Sequence, residues 1–150
     1  MQLKFGESAT ISGDLASIWD TATDVERWST WDPHLLGSGF EGEFVPGAQG
    51  WTRPKGTPKN AKGPFKVTAV DPQRSFSTES PMPMGKMLID TRYEPAGPGR
   101  VKVSRDVALH GGFVPFFWLV FYRKMRRDLV STFVALEREA HQRATEGKAR

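Results

Sequence analysis

The sequence predicts an α+β protein, with seven antiparallel strands covered on one face by a single long helix near the C-terminus. Three observations carry this. Residues from about Pro115 to Arg143 place apolar side chains at helical spacing. The stretch from Leu35 to His110 instead alternates apolar and polar residues between Pro- and Gly-bearing turns, as a meander of hairpins does. No other segment offers a helix of comparable length. The apolar side of the long helix must therefore pack against the sheet.

Residues Leu3, Phe5, Ala9 and Ile11 alternate with polar neighbours and read as the first strand, with Glu7 interrupting its apolar face. Ser12 is the expected N-cap of a short helix over about Gly13 to Ala22. Its Leu15, Ile18, Trp19 and Ala22 follow the i, i+3, i+4, i+7 spacing. A second short helix is expected at about Val25 to Trp28, ended by Trp31-Asp32-Pro33. Leu36, Ser38, Phe40 and Phe44 then share one strand face, and Ala48 to Arg53 forms a strand carrying Trp51. The prolines and lysines of 54–64 mark a long loop. Phe65, Val67 and Ala69 give the next inward face, followed by Phe76 and Thr78, and by Met87, Ile89, Thr91 and Tyr93. Val101, Val103, Val107 and Leu109 form the last such face, interrupted by Arg105. In the final helix, at about 100° per residue, Trp118, Phe121, Tyr122, Met125, Leu129, Thr132, Phe133, Leu136 and Ala140 fall on one side. Residues 1–144 read as one domain, and 145–150 as a polar tail.

The totals exclude several classes. The chain has 150 residues, enough for a core of its own, and an ordinary 38% hydrophobic content. It has no cysteine, which removes disulfides and thiolate metal sites. With no apolar leader after Met1, this fits a cytoplasmic protein. The uncharged run Phe113 to Tyr122 is far short of the about 20 residues that span a bilayer. His34, His110 and His141 lack ligand spacing, and neither a phosphate loop nor a G-x-S-x-G elbow is present, so no metal or cofactor is expected. A net charge of +4 suits an anionic ligand, an acidic partner or a membrane surface, but is too small to argue for nucleic acid.

The stretch Ile11 to Pro33, with Ile18-Trp19, Thr23-Asp24-Val25-Glu26-Arg27-Trp28 and Trp31, resembles the START/Bet v 1-like (SRPBCC) superfamily. Within it, the sequence is similar to the bacterial polyketide cyclase/dehydrase and lipid-transport group. Phe40-Glu41-Gly42, Pro46-Gly47, Val67 to Pro72 and the late helix extend the resemblance over nearly the whole chain. It implies a helix-grip fold, in which a curved seven-stranded sheet wraps the C-terminal helix around a ligand cavity. Implied roles include binding lipids or quinones and folding polyketide chains. The group has no universal catalytic motif to carry over.

Alternate turns of a meander lie at opposite ends of its sheet. The loops at 54–64, 81–85 and 110–114 therefore share one end, gathering Lys55, Lys59, Lys62, Met82, Met84 and His110 into an expected cavity mouth. If Leu3 lies near Leu109 and Ile11 near Val101, Glu7 faces Arg105. Such charges are expected to pair, either as a clamp that offers Arg105 to a ligand or as a structural ion pair, the further alternative being a strand-edge position open to water. Inward hydroxyls at Ser38, Thr78, Thr91, Tyr93 and Tyr122 suit an apolar pocket with a few orienting groups. Phe40, Trp51, Phe76, Trp118 and Met125 complete the expected lining. Trp19, Trp28 and Trp31 are assigned instead to core packing of the short helices. The ligand class is a small apolar or amphipathic molecule. The alternatives are an aromatase/cyclase or dehydratase working on a carrier-bound chain, and a docking module. Phe116, Leu119 and Val120, followed by Arg123, Arg126 and Arg127, are expected to form an apolar patch with a basic collar. That patch would meet an acidic carrier protein, a membrane surface or a second copy in a homodimer.

Overall fold

A computed structural model describes residues 2–54, 63–82, 84–112, 115 and 122–148. The chain runs from β1 (Gln2–Ser12) through α1 (Leu15–Thr23), a 3-10 turn (Val25–Arg27) and α2 (Trp28–Trp31). Six further strands follow: β2 (Leu35–Phe40), β3 (Gln49–Pro54), β4 (Gly63–Asp71), β5 (Ser75–Met82), β6 (Gly85–Pro95) and β7 (Arg100–Gly111). The helix α3 (Tyr122–Lys148) ends the described chain. It continues through Thr145 to Gly147, within the stretch expected to be a polar tail.

The seven strands form one antiparallel sheet in the order β1-β7-β6-β5-β4-β3-β2. Hairpins place sequential strands side by side, and β1 closes onto β7. The β1–β7 register sets Leu3 opposite Leu109, Glu7 opposite Arg105 and Ile11 opposite Val101, as the alternation requires.

Parity counting fails at two places, for one reason. Register shifts occur between Leu35 and Gly37 and between Val67 and Ala69. An irregular residue flips every later side chain to the other face. Leu36 is therefore exposed, and Leu35 turns inward in its place. Ala69 likewise faces out, while Val70 packs against the core. Phe44 lies beyond the end of β2 and reaches the core through the loop, edge-on to Phe76 at 5.1 Å.

Helix α1 is capped by Asp14, not Ser12. The Asp14 carboxylate accepts from the Ser17 hydroxyl at 2.7 Å and the Ser17 N–H at 3.0 Å. These bonds stabilise the ionised form and hold its pKa below the usual carboxylate range. Ser12 serves α3 instead: its N–H donates to Glu137 Oε2 at 2.7 Å, and His141 Nε2 donates to its carbonyl at 2.9 Å. An exposed edge strand is thereby tied to the helix beside it.

The inner stripe of α3 is buried from Leu129 through Thr132, Phe133 and Leu136 to Ala140. It meets two apolar clusters. One joins Ile11, Ile18, Trp19, Phe76, Tyr93, Val101 and Val103 to Phe133, Leu136 and Ala140. The other joins Phe5, Val107 and Leu109 to Leu129, with Met82 and Met87 packed on it. A third cluster of Val25, Phe65 and Val67 lies under α2. Arg105 occupies the interval on β7 between the first two.

The β6–β7 ladder ends in a close backbone approach. Gly111 has φ +126°, and a Cβ there would strike the Met84 carbonyl oxygen and lie 2.6 Å from Gly85 Cα. Gly111→Ala should therefore cost about 1–3 kcal/mol of stability through backbone strain, read as a lower denaturation midpoint in urea. Gly97→Ala adds a side chain to open space and shares only the φ penalty, so the difference between the two variants isolates the collision.

Candidate ligand-binding site

Where the three clusters fail to meet, a cavity of about 200 Å³ remains between the sheet and α3. Its walls come from α2 and the following turn (Trp28, Trp31, Asp32), the strands (Leu35, Thr52, Phe65, Phe76, Thr78, Ser80, Met87, Ile89, Thr91, Arg105) and α3 (Thr132, Phe133, Leu136), with Ala22 from α1. Most of this lining is apolar, with hydroxyls spaced along it, as small-molecule sites require. A wider trough of about 700 Å³ crosses the convex face. Its Asp106 pairs with Arg92 at 2.6 Å and its Asp90 accepts from the Ser77 hydroxyl at 2.5 Å, so its acidic groups already have partners on the exposed face.

Of the expected lining residues, Phe76, Thr78, Thr91 and Arg105 come together on the cavity wall. Phe40 sits behind the wall, stacked on Phe65 with ring centroids 6.1 Å apart. The Ser38 hydroxyl donates to the Val25 carbonyl at 2.6 Å, fastening β2 to the 3-10 turn, and it is not on the lining. Tyr93 is buried in the first cluster, between Trp19 at 5.5 Å and Phe76 at 6.2 Å. Burial raises its phenol pKa above the ordinary tyrosine range, and the positive charge of Arg105 partly opposes this. Tyr93 is thus a neutral core residue near the cavity at physiological pH.

Trp51 lies on the other side of the sheet. Gly50 is where Phe40 and Phe65 crowd together, each 2.7 Å from a Cβ built there, so Gly50 and Thr52 face inward. The intervening Trp51 faces outward, covering Gly37 and Gly39, with the Arg53 guanidinium 5.6 Å from its ring. Trp118 lies outside the described residues, as do Phe116, Leu119 and Val120 of the expected patch and Lys55, Lys59 and Lys62 of the expected mouth. The side chains of Tyr122 and Met125 are likewise outside the described part. Arg123, Arg126 and Arg127 are exposed on the first turns of α3. Met82 packs on the second cluster, and Met84 is exposed.

The expected Glu7–Arg105 ion pair does not form, although the two residues are register partners. Glu7 accepts from Arg126 of α3, at 2.8 Å from Nε and 2.6 Å from Nη2. Arg105 instead donates from Nε to Thr91 Oγ1 at 3.3 Å and lies 6.0 Å from the Phe133 ring centroid. Among the described residues no carboxylate comes within ion-pair distance of it. A half-buried guanidinium carries five N–H donors, and among the described residues one of them has a hydrogen-bond partner. Among those residues it is thus a cation without a carboxylate partner in a largely apolar wall.

Trp28 and Trp31, assigned from sequence to helix packing, line the cavity. The Trp28 ring stacks on Phe65 at 5.7 Å and 18°. One sequence signal bears on both: α2 and β2 are separated by a short turn, so their residues must share the same end of the sheet. Nearby, His34 Nε2 contacts Ser131 Oγ at 2.7 Å, and His34 Nδ1 lies 3.7 Å from Asp128. The latter distance exceeds a hydrogen bond. A mid-helix serine also has no spare backbone N–H to form an oxyanion hole. The trio is therefore a tie between the α2–β2 turn and α3, not a nucleophilic triad. Among the described residues no group of three or more His, Asp or Glu side chains could hold a metal. No described helix is long and apolar enough to cross a membrane.

A curved antiparallel sheet gripping one long helix over a cavity defines the Bet v 1-like class. The family model for polyketide cyclase/dehydrase and lipid transport proteins matches residues 2–141, and the chain belongs to that family. Solved structures agree on the fold. The Zhui aromatase/cyclase of a Streptomyces species superposes with a TM-score of 0.76 at 13% identity, covering 96% of each chain. Ara h 8.0201 gives 0.75 at 19% identity, covering 95% of this chain and 99% of that one. Truncated norcoclaurine synthase from Thalictrum flavum gives 0.71 at 11% identity, covering 91% and 92%. No curated protein matches the chain in sequence.

Phe133 is 1% exposed and touches both Arg105 and the first cluster. Phe133→Ala should cost about 3–5 kcal/mol, whereas Glu7→Gln, which breaks a solvent-exposed pair, should cost about 1 kcal/mol or less. Thermal and denaturant unfolding of both variants checks the contrast.

Proposed function

We propose that this protein binds a small apolar or amphipathic molecule, of the lipid, polyketide or quinone-like kind, between the sheet and α3. Arg105 would hold an anionic or carbonyl oxygen of that molecule. The observation that carries the reading is the state of Arg105. A cation in an apolar wall is costly unless something compensates it. Its one 3.3 Å hydrogen bond and the Phe133 ring supply part of this, and a ligand oxygen would supply the rest. Phe76, Thr78 and Thr91 would line the bound molecule.

A second reading is supported by the family and by the likeness to the Zhui aromatase/cyclase. Here the cavity would hold part of a poly-β-keto chain, and Arg105 with Thr91 would stabilise an enolate oxygen as it develops. An acidic carrier protein would then meet the exposed Arg123, Arg126 and Arg127 at the start of α3.

Binding of anilinonaphthalene sulfonate, an apolar anion, and phenylnaphthylamine, its neutral relative, tests the first reading. In Arg105→Met the anion should bind roughly tenfold or more weakly, the worth of one charge-assisted hydrogen bond. The neutral probe should be unaffected. Equal affinity of the folded variant for the anion would remove Arg105 from the proposal. Native mass spectrometry of the purified protein should show a copurified small molecule.

A further inference from the structure

Arg105 is turned into the cavity by the strand that carries it. Its β7 neighbours of the same parity, Val103 and Val107, are buried in the two core clusters, whereas Ser104 and Asp106 lie on the outer face of the sheet. The guanidinium lies 6.0 Å from the ring centroid of Phe133 on α3, and Arg105 belongs to the cavity lining. Among the described residues the buried side-chain atoms without a partner are Trp31 Nε1, Arg53 Nε and Arg143 Nη2. Neither Nη group of Arg105 is one of them, and neither makes a hydrogen bond among those residues. Both groups are therefore accessible, and the space they reach is the cavity.

The donors that remain decide what shape of head group fits. A guanidinium offers two paired edges, one of Nε with an Nη group and one of Nη1 with Nη2. Arg105 Nε donates to Thr91 Oγ1 at 3.3 Å. Thr91 stands directly opposite Arg105 on β6 and is fully buried, so this bond turns the Nε edge against the sheet. The edge left over is Nη1 with Nη2, two parallel N–H donors on one positive group. A carboxylate presents two coplanar oxygens at matching spacing and takes both. A carbonyl or enolate supplies one oxygen, and so meets that edge less completely.

We infer that the molecule this cavity takes is a small carboxylic acid, bound as its carboxylate across Nη1 and Nη2 of Arg105, with Thr91 as the residue that sets that edge. This rests on the ligand-binding reading above and narrows its head group. Thr91 acts through Arg105 and is a positioning residue: without its hydroxyl, the Nε edge is free to compete for the ligand and the guanidinium has no fixed orientation. The cavity bounds the rest of the molecule. An apolar cavity of about 150 Å³ accepts a benzene molecule, so the about 200 Å³ here suits one ring beside the head group. Phe76, Met87, Ile89, Phe133 and Leu136 on the walls make that body apolar.

Isothermal titration with cyclohexanecarboxylate, its primary amide and its methyl ketone tests this. The carboxylate should bind about tenfold or more tightly than either one-carbonyl analogue, the worth of an added hydrogen bond to a charged group. Arg105→Lys keeps the charge and loses the paired edge, and should cut the carboxylate preference severalfold. A lysine variant with the full preference would show that charge alone suffices and overturn the two-donor assignment. Thr91→Val should also cut the preference severalfold while phenylnaphthylamine binds as before, and Thr91→Ser, which keeps the hydroxyl, should restore it. A Thr91→Val protein that binds the neutral probe and keeps the full preference would remove Thr91 from its role. Three equal affinities, with anilinonaphthalene sulfonate still bound, would overturn the carboxylate head group while the ligand-binding reading stands. Failure of every probe, the sulfonate included, would overturn both.

Discussion

The contact between the inner stripe of α3 and the concave face of the sheet is the constraint on which the rest depends. Its centre is Phe133, nearly inaccessible to solvent and in the same cluster as Ile18, Trp19, Phe76 and Tyr93. Leu129 anchors the helix on the β1–β7 side through a separate cluster, and Leu136 and Ala140 extend the packing past α1. A single helix cannot fill the concavity of a seven-stranded sheet. The clusters close at its two ends and under α2, and the space among them is the cavity. Fold and pocket thus have one cause. Phe133 and Leu136, which stabilise α3 on the sheet, also bound the site.

Polar ties then fix the helix along its length. Glu7 holds Arg126, Ser12 holds Glu137 and His141, His34 meets Ser131, and Asp24 meets Arg143 at 3.3 Å. Each is exposed or only partly buried, so each contributes little energy alone. Their value is positional. Two lie along β1 and two along the short-helix side, so the helix is located between the two flanks of the curved sheet. This explains why Glu7 did not pair with Arg105. The Glu7 carboxylate reaches a partner at the wet edge, where desolvation is small, and Arg105 is left with Thr91 and the Phe133 ring and no carboxylate among the described residues.

Much of this was legible in the residues. Period-two alternation gave the strand faces and even the β1–β7 register, because Val101, Val103, Val107 and Leu109 can point only one way. Phe76, Thr78, Thr91 and Arg105 were placed on the cavity wall by the same rule. What the rule missed has a physical reason in each case. Leu36 and Ala69 lie at register irregularities, which no hydrophobic pattern announces. Trp51 was drawn inward by its size. Its true position depends on Gly37 and Gly39, whose missing side chains make a seat for it on the convex face. Trp28 and Trp31 looked like packing because short amphipathic helices need packing. Their place on the cavity wall depends on how α2 closes over β2 and over Phe65 of β4, a tertiary fact with no local signal.

The comparisons sharpen where specificity must reside. An aromatase/cyclase, a norcoclaurine synthase and Ara h 8.0201 share this backbone at 11–19% identity. The grip of sheet on helix therefore tolerates almost complete replacement of side chains, provided the faces stay apolar. Such a scaffold cannot by itself choose a ligand. The few inner-surface residues that depart from the apolar rule are therefore where members of such a fold can differ, and in this chain Arg105 on β7 is one of them. It is fixed between two core clusters and donates to Thr91 within the wall, and among the described residues no carboxylate pairs with it. Its remaining N–H donors are the polar capacity on which the proposed ligand reading rests.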